Sequence, residues 1–105
     1  MARRAGFEEL VRQYPASDLA PDALYWAAEM HAAEGNTTAA DSVYSDVLTR
    51  YPRTPRAPTS LYKLALSLAR QGKRPEARAA MDRVAREYPQ SDEADLAREW
   101  LKTNR

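Results

Sequence analysis

The chain has no cysteine and no isoleucine, only three glycines and a single histidine. Without cysteine, disulfides and thiolate metal sites are excluded, whatever compartment the protein works in. Without isoleucine, and with valine only at Val11, Val43, Val47 and Val84, a β-rich fold has little to build on. No apolar run approaches the ~20 residues a membrane-spanning helix needs. The N-terminal segment Met1-Ala2-Arg3-Arg4-Ala5-Gly6-Phe7 has basic residues but no apolar stretch behind them, so it does not read as a secretory signal. An excess of charge is missing too. Sixteen basic residues face 15 acidic ones, and a net charge of +1 gives no field to draw nucleic acid or an acidic membrane surface. Gly-rich phosphate loops, nucleophile elbows and metal-ligand spacings are also absent from the sequence. The chain therefore does not read as an enzyme, and it implies no catalytic residue, metal or cofactor.

What is present is a repeat. The dipeptide Tyr-Pro occurs at Tyr14-Pro15, Tyr51-Pro52 and Tyr88-Pro89, at two intervals of 37 residues each. The flanks repeat at the same offset. Upstream, Phe7, Tyr44 and Met81 coincide, as do Leu10, Val47 and Val84. Downstream, Ser17, Thr54 and Ser91 coincide, then Ala20, Ala57 and Ala94, and Gly35 matches Gly72.

Each unit reads as two helices. Ala, Leu, Arg and Glu favour helix, and most of the seven prolines fall at helix boundaries, where they terminate or start helices rather than break them. Ser17, Thr54 and Ser91 are expected N-caps, Pro55 the first helical residue after its cap, and Gly35 and Gly72 left-handed C-terminal caps. The second helices carry inward stripes of Ala40, Val43, Tyr44, Val47 and Leu48, and of Ala77, Ala80, Met81, Val84 and Ala85. Small residues at Ala28, Ala40, Ala65 and Ala77 let helix backbones approach closely. The expectation is an all-α chain of six antiparallel helices, near residues 2–14, 18–35, 37–50, 55–72, 74–87 and 92–103. They form one domain: a half unit 1–15, full units 16–52 and 53–89, and a closing helix 90–105. Leu96 and Trp100 suggest that the closing helix packs as a lid. The opening half unit points to a domain within a longer chain, and Phe7, Leu10 and Val11 are expected to leave an apolar face that supports weak self-association.

The spacing Ala40…Tyr44…Pro52, repeated as Ala77…Met81…Pro89, resembles the tetratricopeptide (TPR) repeat, whose usual period is about 34 residues. That resemblance implies a right-handed α-α superhelix whose concave groove, lined by the first helix of each unit, binds a partner segment. The longer connector after Tyr-Pro, together with Ala23-Leu24-Tyr25-Trp26 and Glu34-Gly35-Asn36, is similar to the C-terminal TPR domain of the Tol-Pal system accessory proteins, also called cell division coordinators. This narrower resemblance implies a periplasmic adaptor in envelope constriction and cell division, with a partner such as the inner-membrane protein TolA or another envelope protein. Such proteins join the domain to an upstream coiled coil. Outer-membrane assembly lipoproteins share the Tyr-Pro-x-Ser connector, so a structural scaffold remains open, as does a cytosolic TPR co-chaperone.

By the same resemblance, Tyr25, Trp26 and Glu29 of one unit and Tyr62, Lys63, Leu66 and Arg70 of the next face the groove, with Glu99 and Trp100 beyond them. Two readings stand for Tyr25 and Tyr62: groove anchors one period apart, or inter-helix packing. His31 has no second ligand near it and reads as a structural, partly buried histidine. Asp18, Asp22, Asp92, Glu93 and Asp95 complement helix N-termini. Arg74, Arg78, Arg83 and Arg86 read as a solvated face with acidic neighbours rather than a binding patch.

Overall fold

Two glycines and a row of prolines divide the chain where the repeat requires. The computed structural model describes residues 2–105, with side chains described from Gly6 onward. Its helices are α1 (Ala2–Gln13), α2 (Ala20–Ala33), α3 (Thr37–Arg50), α4 (Arg56–Arg70), α5 (Arg74–Glu87) and α6 (Asp92–Thr103), and no strand occurs among the described residues. The boundaries of α3, α5 and α6 are those expected from the sequence, and the others lie within two residues.

The α2–α3 and α4–α5 turns share one construction. Gly35 and Gly72 adopt φ of +79° and +78°, the left-handed region that side chains resist. This lets the Asn36 N–H reach the His31 carbonyl at 2.9 Å and the Lys73 N–H reach the Leu68 carbonyl at 2.9 Å. Those six-to-one bonds close the helix ends as a Schellman motif does.

The connectors depart from expectation in their caps. A helix capped by Ser17 or Thr54 would make its first i→i−4 bond from the N–H of residue 21 or 58, and both are prolines. Instead the Ala20 N–H bonds to the Ser17 carbonyl and the Ala57 N–H to the Thr54 carbonyl, each at 3.0 Å, and the helix proper begins later. Ser17 and Thr54 are therefore not the N-cap residues, although the Ser17 hydroxyl still accepts from the Leu19 N–H at 3.1 Å. The residues in that place are Leu19 and Pro55, neither making a side-chain cap, so Pro55 precedes the first helical residue instead of being it. In the third unit Asp95 stands where the prolines stood. There Ser91 caps as expected, its hydroxyl accepting from the Ala94 N–H at 3.1 Å.

Each helix packs on its chain neighbours. In addition the backbones of α2 and α4, and of α4 and α6, approach closely, whereas those of α1, α3 and α5 do not approach one another. The stack thus curves with α2, α4 and α6 along its inner side. One apolar cluster joins α1, α2 and α3 around Val11, Leu24, Tyr25, Tyr44 and Val47. A second joins α4, α5 and α6 around Leu61, Met81, Val84 and Ala97, with Leu48 of α3. Leu64 packs against both. Ala28, Ala40, Ala65 and Ala77 are buried, as their small size requires.

Two expectations at the ends of the stack are corrected. Val11 is buried, and Phe7 and Leu10 pack partly against the first cluster, because α2 and α3 both reach α1's apolar side. The apolar face expected for self-association is therefore largely occupied. At the other end Trp100 packs against the second cluster, but Leu96 is 51% exposed and is no part of a lid.

Candidate functional site on the inner face

The inner face is built from one side of α2, α4 and α6, whose register is set by polar pairs running between neighbours. Arg56 Nε lies 2.9 Å from Asp22, Lys63 Nζ lies 3.5 Å from Glu29, and the Thr59 hydroxyl donates to Glu93 at 2.7 Å. Every pair joins residue i to i+34, one helical turn short of the 37-residue repeat. The same offset sets Tyr62 opposite Leu96 and Leu66 opposite Trp100. These four form an apolar stretch, Leu96 exposed and the others half-buried.

Of the two readings open for Tyr25, groove wall and inter-helix packing, the groove placement is corrected: the residue lies in the core with 5% exposure. Its ring meets Tyr44 at 6.0 Å and Trp26 edge-on at 5.3 Å. Burial, reinforced by the Glu29 carboxylate, pushes its phenol up to about 12. Tyr44 is pushed up as well, first by burial and then by the hydrogen bond it donates to Glu29. Glu29 therefore ties the core to the inner face: one carboxylate oxygen accepts from Tyr44 and the other faces Lys63. Trp26 is 43% exposed and is the large aromatic that α2 presents to solvent. Tyr62 and Leu66 are half-buried on the second cluster, Lys63 is half-buried and paired, and Arg70 is exposed with no ion-pair partner among the described residues.

Sequence reasoning missed Arg56. Its guanidinium lies 4.4 Å from the Tyr25 ring centroid and 5.4 Å from that of Trp26, while its Nε holds Asp22. A cation above two aromatic rings is an anchored, flat platform. The signal was available as a carboxylate followed by a cation 34 residues later, at both Asp22–Arg56 and Glu29–Lys63.

Of the remaining candidates, His31, Arg78, Arg83 and Arg86 have structural partners. His31 is half-buried with Nε2 3.4 Å from Glu8, tying α2 to α1. Arg83 pairs with Glu87 and Arg86 with Asp82 on their own helix, while Arg78 donates to the carbonyls of Leu101 and Asn104 at the end of α6. Among the described residues no cluster of His, Cys, Asp or Glu could hold a metal ion, and no helix is long and apolar enough to cross a membrane.

The sequence profile of the tetratricopeptide repeat matches residues 22–54 and again 59–91, two segments that begin 37 residues apart and together cover more than half of the chain. A search of curated proteins finds no match.

Proposed function

This chain belongs to the tetratricopeptide repeat family, whose repeats serve as protein-interaction modules, and we propose that its inner face docks a segment of a partner protein. One observation carries the reading: on α2 Trp26 stands exposed beside Arg56, and α4 and α6 add Tyr62, Leu66, Leu96 and Trp100 as partly or fully exposed apolar residues. Trp and Arg groups held rigidly in place at a surface are the residue types that carry most of the energy of an interface. Because Asp22, Glu29, Arg56 and Lys63 neutralise one another across the face, affinity rests on apolar contact. The partner segment is one that presents an apolar face.

The setting we propose is the cell envelope. The 37-residue period and the Tyr-Pro-x-Ser connector support an adaptor of the Tol-Pal accessory kind, working in the periplasm during constriction and division with a TolA-type partner. A co-chaperone that clamps a terminal carboxylate is less well supported, because Arg56 and Lys63 already hold carboxylates, which leaves Arg70 as the cation without an ion pair on this face among the described residues.

Calorimetric titration with the periplasmic part of a TolA-type protein tests both statements. Trp26→Ala and Arg56→Ala should each weaken binding by about 2 kcal/mol, roughly thirty-fold. Arg83→Ala, on the outer side of the stack, should leave affinity unchanged. Loss of affinity at Arg83 but not at Trp26 places the partner on the opposite face. No binding by the parent protein removes the TolA-type assignment.

A further inference from the structure

The connectors form a further edge of the molecule, meeting the inner face at Asp22. The Tyr51 hydroxyl donates to the Pro15 carbonyl at 2.7 Å, and the Tyr88 hydroxyl donates to the Pro52 carbonyl at 2.9 Å. Each tyrosine thereby straps its connector to the one before it. Between the strapped connectors lie two clefts, of about 440 and about 500 Å³. The first has Pro15, Pro21, Tyr51 and Pro55 in its walls, and the second has Pro55, Pro58, Tyr88 and Pro89. They are the same cleft built twice, one repeat apart, sharing Thr54 and Pro55.

We propose that this edge binds a polyproline-II segment of a partner protein, with a proline in each cleft. Three features select that occupant. The first is spacing. Helices in direct contact, as α2 and α4 are, lie about 8–10 Å apart. A polyproline helix rises ~3.1 Å per residue, so prolines three residues apart are separated by ~9 Å, one step of the stack. The second is surface. Polyproline ligands dock in grooves lined by aromatic rings, here one tyrosine in each cleft, and they have little chain entropy to lose.

The third is polar complementarity. Asp18 in the first cleft and Arg53 in the second are exposed and carry no ion pair among the described residues, whereas Asp22 and Glu87 are already paired. A segment with a cation beside the first proline and a carboxylate beside the second answers both charges and fixes the direction of binding.

The test uses the intact chain, isotope-labelled, titrated with a peptide of the form Arg-Pro-x-x-Pro-Asp and followed by backbone amide shifts. Saturable shifts are expected at residues 14–18, 52–55 and 88–91. Replacing both peptide prolines by alanine should weaken binding about tenfold. Asp18→Lys, an exposed change outside every helix, should weaken the parent peptide several-fold and leave helicity intact. Trp26→Ala should have no effect, which separates this site from the inner-face reading. Absence of saturation at millimolar peptide, equal binding of the alanine peptide, or shifts confined to α2, α4 and α6 would each overturn the proposal.

Discussion

Replacing Tyr44 with Phe isolates the link between the core and the inner face. The ring is 3% exposed and stays apolar in the variant, so packing is conserved and only the hydroxyl donated to Glu29 is lost. A hydrogen bond to a charged group contributes about 1.5–3 kcal/mol net. Glu29 keeps Lys63 as a neighbour and its side chain remains 23% exposed, so water replaces part of the loss. The expected cost is about 1–2 kcal/mol, which at about 4–8 °C per kcal/mol for a domain of this size lowers the melting midpoint by roughly 4–16 °C. Urea denaturation followed by circular dichroism measures it. The same pair sets the alkaline behaviour. Because the folded-state pKa of Tyr25 lies near 12 instead of the free value of 10.0, the folded protein keeps a proton that the unfolded chain gives up. Tyr44 shifts in the same direction. The stabilisation is complete below pH 10 and drains away as pH climbs towards 12. The variant should lose stability less steeply across that range. An unchanged urea midpoint together with an unchanged alkaline slope would refute the assigned coupling.

Other outcomes follow from burial and backbone geometry. Ala40→Leu and Ala77→Leu should each destabilise by ~1–3 kcal/mol through overpacking, while Ala33→Leu, on an exposed position, should be mild; equal urea midpoints for all three would contradict the packing. Tyr25→Ala should cost about 3–5 kcal/mol, as loss of a buried aromatic does, and Trp26→Ala far less, a contrast that thermal melts resolve. Gly35→Ala and Gly72→Ala should each cost about 1 kcal/mol from backbone strain alone, since an added Cβ at either position meets nothing within 4 Å. A neutral result in calorimetric scans would remove that strain.

Helix order was legible because glycine and proline act locally. Gly35 and Gly72 mark their turns through a dihedral that other residues resist, and Tyr-Pro ends its helix whatever surrounds it. The caps at Ser17 and Thr54 were misread because the deciding residues, Pro21 and Pro58, lie four positions further on and act by a bond they cannot make. Tyr25 was left between groove and core for a different reason. A helix with one buried stripe shows 3.6-residue periodicity, but α2 is packed against α1, α3 and α4. Ala23, Leu24, Tyr25, Ala27 and Ala28 are all buried, and the periodicity that would separate core from groove is erased. Arg56 was hidden because pairing on the inner face follows a spacing of 34 residues, not the repeat length.

The tyrosine straps also bear on how such a chain can grow. Each unit carries a donor pointing backwards, its tyrosine hydroxyl, and an acceptor offered forwards, its proline carbonyl. A duplicated copy of residues 53–89 would arrive with both halves of the fitting, and neither junction would be left with an orphaned group. The inner face is not copied in this way: Asp22–Arg56 in one unit is answered by Thr59–Glu93 in the next. Heredity of the frame and divergence of the docking surface are thereby separated onto different parts of the molecule, so a lengthened descendant could keep its register while acquiring a new partner.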